Sequence, residues 1–317
     1  MVCAEVVPTA ITYNAVIDSF SKLGDVEGAT RWHERMQQEG VMPTEFSISS
    51  SLSAAARAGD GAGAAAILEK MLASGRPPNL VCFNAVISAF ARTGDTGRAE
   101  HWFEKLRTSG LQPDEVTFTA LIDSCAKRGD SRGAVTWLET MVAENLSPAV
   151  VSYTAVIDSC AKRRDSGQAV RWLEEMICKK IAPDKISYNS VINSCARSGE
   201  ASQAMLWLER MQSESLAPDK VSFTAVIDSC VKEGSLASAE RWFQRMLAAG
   251  VLPDMIAFTT LITGFARKGD MLRAERIFHQ ASAADLVPDV ACYNALIDGC
   301  ARRGAVDLAS EWNGKMM

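Results

Sequence analysis

Long apolar runs are missing from this sequence. Nowhere do 18 or more uninterrupted apolar residues occur, the length a membrane-spanning helix needs. The opening residues, MVCAEVVPTA, lack the basic segment and apolar stretch of a secretory leader, and they are too short and too poor in Arg and Ser for an organelle transit peptide. His33, His101 and His279 are the only histidines and have no metal-ligand spacing. None of the nine cysteines forms a Cys-x-x-Cys pair, so zinc is not expected. The His-x-Glu and Pro-Cys-x-x-Cys elements of a zinc deaminase are also absent. Nor is there a basic excess: 33 Lys and Arg stand against 38 Asp and Glu, a net charge of -5. Taken alone that argues mildly against a nucleic-acid partner. Binding depends, however, on where the charges sit rather than on their sum.

What is present is a repeat. Pro8, Pro43, Pro78, Pro113, Pro148, Pro183, Pro218, Pro253 and Pro288 are each 35 residues apart, and only Pro77 lies off this grid. With 48% hydrophobic residues, no linker and no low-complexity tract, the chain suits a soluble tandem array. The expected division is a tail of a preceding unit over 1–9, followed by an array over 10–317. Its units are 10–44, 45–79, 80–114, 115–149, 150–184, 185–219, 220–254, 255–289 and a partial 290–317. The start in the tail of a unit and the stop inside the ninth suggest a fragment or an incomplete gene model.

Each unit reads as two helices. In the fourth, Asp114 is placed to cap a helix on which Phe118, Leu121, Ile122, Cys125 and Ala126 recur at helical spacing. Gly129-Asp130 ends that helix and caps the next, which carries Ala134, Trp137, Leu138 and Met141. An Ala column runs through all nine units, and all seven Trp fall three residues after it, with Ile67 and Ile277 in the other two units. A Trp column could stack on bases, but its place on the apolar stripe favours core packing. Helix pairs that cannot bury their faces alone must stack on their neighbours. The expected fold is therefore all-α, an α-solenoid of tandem helix–turn–helix repeats with a concave inner surface.

The stretch FTALIDSCAKRGD, residues 118–130, resembles a nucleophile with activating charges. The repeat dissolves that impression. Cys125, Cys160, Cys195, Cys230 and Cys300 share a column with Phe20, Phe90, Phe265 and Ala55, which calls for apolar volume rather than a thiolate. Cys82 and Cys292 share another with Thr and Ser, leaving Cys3 and Cys178 alone. No catalytic residue is expected.

Two polar columns flank the first-helix stripe. One contains only Asn, Thr or Ser: Asn14, Ser49, Asn84, Thr119, Thr154, Asn189, Thr224, Thr259 and Asn294. The other is always cationic: Lys22, Arg57, Arg92, Lys127, Lys162, Arg197, Lys232, Arg267 and Arg302. Eight residues separate them, so two helical turns put both on one face. Compensation of the helix C-terminal dipole would account for many of the cations. Nine of nine, beside small hydrogen-bonding groups, better suit a single strand whose phosphates meet the cations and whose bases meet the Asn and Thr column.

The period of 35 is accompanied by a recurring first-helix opening: Val, then Thr or Ser, an aromatic, Asn or Thr, any residue, Leu or Val, and Ile. With the Lys/Arg-x-Gly-Asp turn and the closing Pro-Asp, this resembles the pentatricopeptide repeat family, in its P-type form, over residues 10–317. The resemblance implies a right-handed superhelix that binds single-stranded RNA, one base per repeat, with the first repeat at the 5′ end. It implies that the residue after the aromatic and the residue after the closing Pro read the base together. Asn84 with Asp114 and Asn189 with Asp219 would favour U. Thr154 with Asp184, Thr224 with Asp254, and Thr259 with Asp289 would favour G, and Ser49 with Asn79 would favour A. Three units depart from these pairs: Asn14 meets Thr44, Thr119 meets Ala149, and Asn294 has no partner. They are read as pyrimidine, purine and pyrimidine, giving 5′-YAURGUGGY-3′, where Y is a pyrimidine and R a purine. Bases would be wedged between Phe46, Val81, Val116, Val151, Ile186, Val221 and Ile256, with the cations on phosphates. If all nine engaged, the log–log salt slope would be roughly -6.

The resemblance also implies action in mitochondria or plastids, in RNA stabilisation, processing or translation. Protein partners would supply any catalysis, since the chain is not expected to be an enzyme, to hold a cofactor or to enter a membrane. The alternative is a protein-binding scaffold, which would need neither an all-cationic column nor one restricted to Asn, Thr and Ser.

Overall fold

The computed structural model describes residues 7–284 and 286–316. The chain forms two compact units, Met1–Ser159 and Cys160–Met317. Among the described residues there are eighteen helices and no strand. The first unit holds α1 (Ala10–Leu23), α2 (Val26–Gln38), α3 (Glu45–Ala58), α4 (Gly61–Ala73), α5 (Leu80–Thr93), α6 (Thr96–Thr108), α7 (Glu115–Arg128) and α8 (Ser131–Ala143). Helix α9 (Val150–Lys162) spans the boundary between units. The second unit holds α10 (Ser166–Cys178), α11 (Lys185–Ser198), α12 (Ala201–Ser213), α13 (Lys220–Glu233), α14 (Leu236–Ala248), α15 (Met255–Arg267), α16 (Met271–Ala283), α17 (Val290–Arg302) and α18 (Val306–Met316).

Local signals set these boundaries. The Asp114 carboxylate accepts the backbone N–H of Thr117 to open α7, and Asp184, Asp254 and Asp289 do the same for α11, α15 and α17. Gly129, at φ 73°, closes α7 in the left-handed conformation, and Asp130 then accepts from Gly133 to open α8. Several repeats depart from this pattern; Ala149 before α9 and Ser235 before α14 supply no side-chain cap. Arg164 takes the left-handed turn in place of glycine, at φ 60°. Glu200 opens α12 without a side-chain cap, its carboxylate accepting the Ser166 hydroxyl instead, at 2.8 Å.

First helices pack on one another within each unit: α1, α3, α5 and α7 in sequence, and α11, α13, α15 and α17. Helices α2, α4, α6, α12, α14 and α16 each pack on their own first helix and on the next, as α6 does on α5 and α7. Close approach explains a column of small residues. A Cβ on Gly299 would lie 2.7 Å from the Met271 sulfur and 2.9 Å from the Ala266 Cβ. Ser124 occupies the equivalent position in α7, buried and with no partner for its hydroxyl. The serine of the suspected nucleophile cluster is thus a packing residue. Its neighbour Cys125 is buried too, and burial pushes that thiol up to about 11, as it does those of Cys195 and Cys230.

The Trp column lies in the core, as its stripe indicates. Trp102, Trp207, Trp242 and Trp312 are buried. Each ring meets the aromatic of its own first helix, for example Phe223 and Trp242 with centroids 6.3 Å apart. A cation three residues on covers the exposed side, with Arg245 4.4 Å from the Trp242 ring. In the second repeat Ile48 and Ile67 replace both rings, and a cavity of about 430 Å³ opens beside them, lined also by His33, Ser51 and Met71. Burial there lowers the affinity of His33 for a proton.

No helix among the described residues is long and apolar enough to cross a membrane. None of the described His, Cys, Asp and Glu gather in a group that could hold a metal ion. Cys3 lies outside the described residues.

Candidate nucleic-acid interface

The first helices carry three columns on their accessible side. The apolar one is open to solvent: Phe46 is 55% exposed, Val81 57%, Val116 56%, Val151 62%, Ile186 63%, Val221 53% and Ile256 65%. Large apolar side chains standing out at one position per repeat are not packing the fold. Ile11 belongs to the same column, outside the expected set, and is 81% exposed. The Asn, Thr and Ser column is half-buried, apart from the buried Asn84 and the exposed Asn294. All nine cations are exposed.

Asn84 shows how a position expected to read a base is built. Its amide N–H donates to Asp114 Oδ1 at 2.9 Å, and its Oδ1 accepts the Thr117 hydroxyl at 2.6 Å. The two contacts fix which end of the amide is which, leaving one N–H and one oxygen lone pair uncommitted. Asn189 repeats the arrangement, donating to Asp219 at 3.3 Å and accepting from the Ser222 hydroxyl. Asn14 and Thr44 are likewise joined, at 3.0 Å.

Both Asp residues are caps as well as partners. Burial opposes charge on Asp114, but the Thr117 backbone N–H, the Thr117 hydroxyl and the Asn84 amide outweigh it and hold the carboxyl below its ordinary 3.8. Asp219 is held down in the same way by Ser222 and Asn189. Each is therefore an ionised, acceptor-only group at neutral pH.

Three other expected pairs, Ser49 with Asn79, Thr119 with Ala149 and Thr259 with Asp289, share no hydrogen bond among the described residues. Ser49 donates to the Glu45 carbonyl and Asn79 to the Glu45 carboxylate. Thr119 bonds Ser152 at 2.8 Å, Ala149 having no polar group to offer. Thr259 donates to the Met255 carbonyl and lies 3.0 Å from the Cys292 sulfur. Thr154 and Asp184 fall in different units. Thr224 and Asp254 line one cavity of about 410 Å³ together with Val221, Ile256 and Asp228. A comparable cavity of about 580 Å³ is lined by Val116, Thr119, Ala149, Val151, Arg57 and Arg92.

The column at the third position of each first helix was not singled out from sequence. Thr117, Ser152, Ser222 and Cys292 each touch the Asn or Thr of the polar column in the preceding repeat. The signal is its restriction to Thr, Ser, Cys and Ala through all nine repeats. Where Ala257 occupies that position, the Thr224 hydroxyl is buried without a partner at the edge of its cavity.

The cations serve the fold as well. Arg57 donates to the Ser21 carbonyl at 3.1 Å and Lys127 to the Ala91 carbonyl at 3.3 Å, each at the C-terminal end of the preceding first helix. Ion pairs one turn back join Lys22 to Asp18, Lys127 to Asp123, Lys232 to Asp228 and Arg302 to Asp298.

Sequence profiles of known families agree with the repeat. The profile described as PPR repeat family matches residues 8–57, 78–127 and 113–162, and that of the pentatricopeptide repeat domain matches 47–93. The pentacotripeptide-repeat region of PRORP matches residues 148–311. The chain belongs to the pentatricopeptide repeat family.

No curated protein matches this pentatricopeptide repeat chain in sequence. Among solved structures it resembles the pentatricopeptide repeat protein PPR10 in complex with an 18-nt psaJ RNA element. That match has a TM-score of 0.67 and 21% identity, and covers 99% of this chain and 51% of that one. It also resembles the Arabidopsis thaliana nuclear protein-only RNase P 2, with a TM-score of 0.53 and 14% identity over 58% of this chain and 42% of that one. At these identities the likeness is one of fold. The chain spans about half the length of the PPR10 chain.

Proposed function

We propose that this pentatricopeptide repeat chain binds single-stranded RNA, one nucleotide per repeat from its first repeat at the 5′ end, near 5′-YAURGUGGY-3′. Its setting would be a mitochondrion or plastid, in stabilisation, processing or translation of a transcript, with any catalysis supplied by partner proteins. The observation that carries the reading is the cavity where Val221 and Ile256 flank Thr224 and Asp254. A flat base between two exposed apolar side chains would bury their surface, while its polar edge would meet the Thr and Asp. PPR10, which shares the fold, was solved with an RNA element bound.

Base choice follows from donors and acceptors. Beside Asn84, the free N–H and lone pair suit a carbonyl and a ring N–H, which uracil presents side by side. The ionised Asp114 accepts only, so it favours the N–H at ring position 3 that uracil has and cytosine lacks at neutral pH. Exposed cations within that column attract phosphates without reading sequence.

The test is an unbiased RNA selection on the chain, compared with the nonamer, together with one recoding. Asn189→Thr should move the sixth base from U to G, with a discrimination on the order of 1 kcal/mol by analogy with base-edge contacts elsewhere. A selection that returns no sequence preference, or an unchanged sixth base, would remove the assignment.

A further inference from the structure

The nine cations are not equivalent. Four residues before each stand, in order, Asp18, Ser53, Ser88, Asp123, Asp158, Asn193, Asp228, Thr263 and Asp298. Every lysine of the column, Lys22, Lys127, Lys162 and Lys232, follows an aspartate. Every cation that follows a neutral residue is an arginine: Arg57, Arg92, Arg197 and Arg267. Arg302 alone combines arginine with aspartate.

The structure gives this pattern physical content. Lys22 lies 2.8 Å from Asp18, Lys127 2.5 Å from Asp123, Lys232 2.5 Å from Asp228 and Arg302 2.9 Å from Asp298. Arg92, Arg197 and Arg267 are exposed and have no hydrogen bond or ion pair with any described residue. Arg57 donates one N–H to the neutral Ser21 carbonyl, which leaves its charge whole and its other donors available.

An exposed pair one turn apart on a helix is weak, so parting it is not the obstacle to an incoming phosphate. The obstacle is the carboxylate that remains. Asp123 and Asp228 line the two cavities on the first-helix face, so a phosphate drawn to Lys127 or Lys232 would meet a negative charge beside it. An unpaired guanidinium instead offers a full charge and a planar pair of donors matched to two phosphate oxygens.

We propose that the RNA backbone is held chiefly at Arg57, Arg92, Arg197 and Arg267, and that the five cations preceded by aspartate contribute little electrostatic affinity. This rests on the RNA-binding reading above. Four phosphates engaged on a single strand give a log–log salt slope of about -3, against about -6 for nine.

The test is binding of the full chain to the fluorescent nonamer, titrated with KCl, with helicity of every variant checked by circular dichroism. The wild-type slope should be about -3, and Arg92→Gln or Arg197→Gln should each flatten it by about 0.7. Lys127→Gln and Lys232→Gln should leave it unchanged, and Asp123→Ser should steepen it by about 0.7 as Lys127 is released. Equal flattening by Arg92→Gln and Lys127→Gln, or a wild-type slope near -6, overturns the two-class assignment while leaving RNA binding intact. Failure to bind any single-stranded RNA at low salt overturns the reading beneath it as well.

Discussion

Replacing Ser124 by alanine removes a buried hydroxyl that has no partner, so the change should be neutral or slightly stabilising in urea unfolding. Ser124→Leu should cost about 1–3 kcal/mol, because the first helices of the stack leave no room there. A nucleophile would behave the other way, tolerating neither change in activity and either change in stability. Asp114 and Asp219 make a second prediction. Their folded-state pKa values lie below the ordinary 3.8, so their stabilisation is fully present above 3.8 and is lost as pH falls through the lower folded values. Unfolding free energy should therefore drop as pH falls below 3.8, and Asp114→Asn should make that drop shallower. A pH dependence identical in the variant would remove Asp114 from the account.

At the scale of a helix, the local signals carry most of the boundary information, and one exception tests it. Arg164 pays for a left-handed turn that costs a non-glycine residue about 1–2 kcal/mol, while glycine there loses about 0.4–1 kcal/mol through the unfolded chain. Arg164→Gly should raise stability by up to about 1 kcal/mol, read as a shift in urea midpoint at constant slope; a lower midpoint would show that the arginine makes a contact worth more than the strain. The same locality explains what could be read in advance. Asp caps, turn glycines and the apolar stripe act within a few residues, and so the helix pairs and the core role of Cys125 were legible. The bond from Thr117 to Asn84 joins residues 33 apart across a repeat boundary, and no local pattern announces it. The ion pairing of Lys127 with Asp123 was within reach, one turn apart, but emerges only when all nine repeats are compared for the residue before the cation. The cavity beside Ile48 and Ile67 was half legible, since the missing Trp was noted but the simultaneous loss of the first-helix aromatic was not.

For the whole molecule, the unbroken 35-residue spacing of the prolines means that any unit can be removed without disturbing the phase of the rest. Deleting residues 80–114 joins Asn79 to Glu115, restoring a side-chain cap before a first helix. The shortened chain should keep the helical circular dichroism of the parent per residue. In RNA selection it should return the eight-nucleotide site YARGUGGY, lacking only the third base. A site that shrinks by more than one position, or an unfolded product, would show that the repeats do not act as separable letters.

The position after each closing proline does two things at once, and this limits the language such a protein can write. Asp114 accepts from the first turn of α7 while it faces the amide of Asn84. Eight of the nine residues at that position here are Asp, Asn or Thr, the side chains that can start a helix, and Ala149 is the exception. Recoding a repeat is therefore confined to the small vocabulary that helix initiation tolerates. A bulky or aliphatic letter would leave the first helix of the next repeat without its side-chain cap, at a cost of about 0.5–2 kcal/mol.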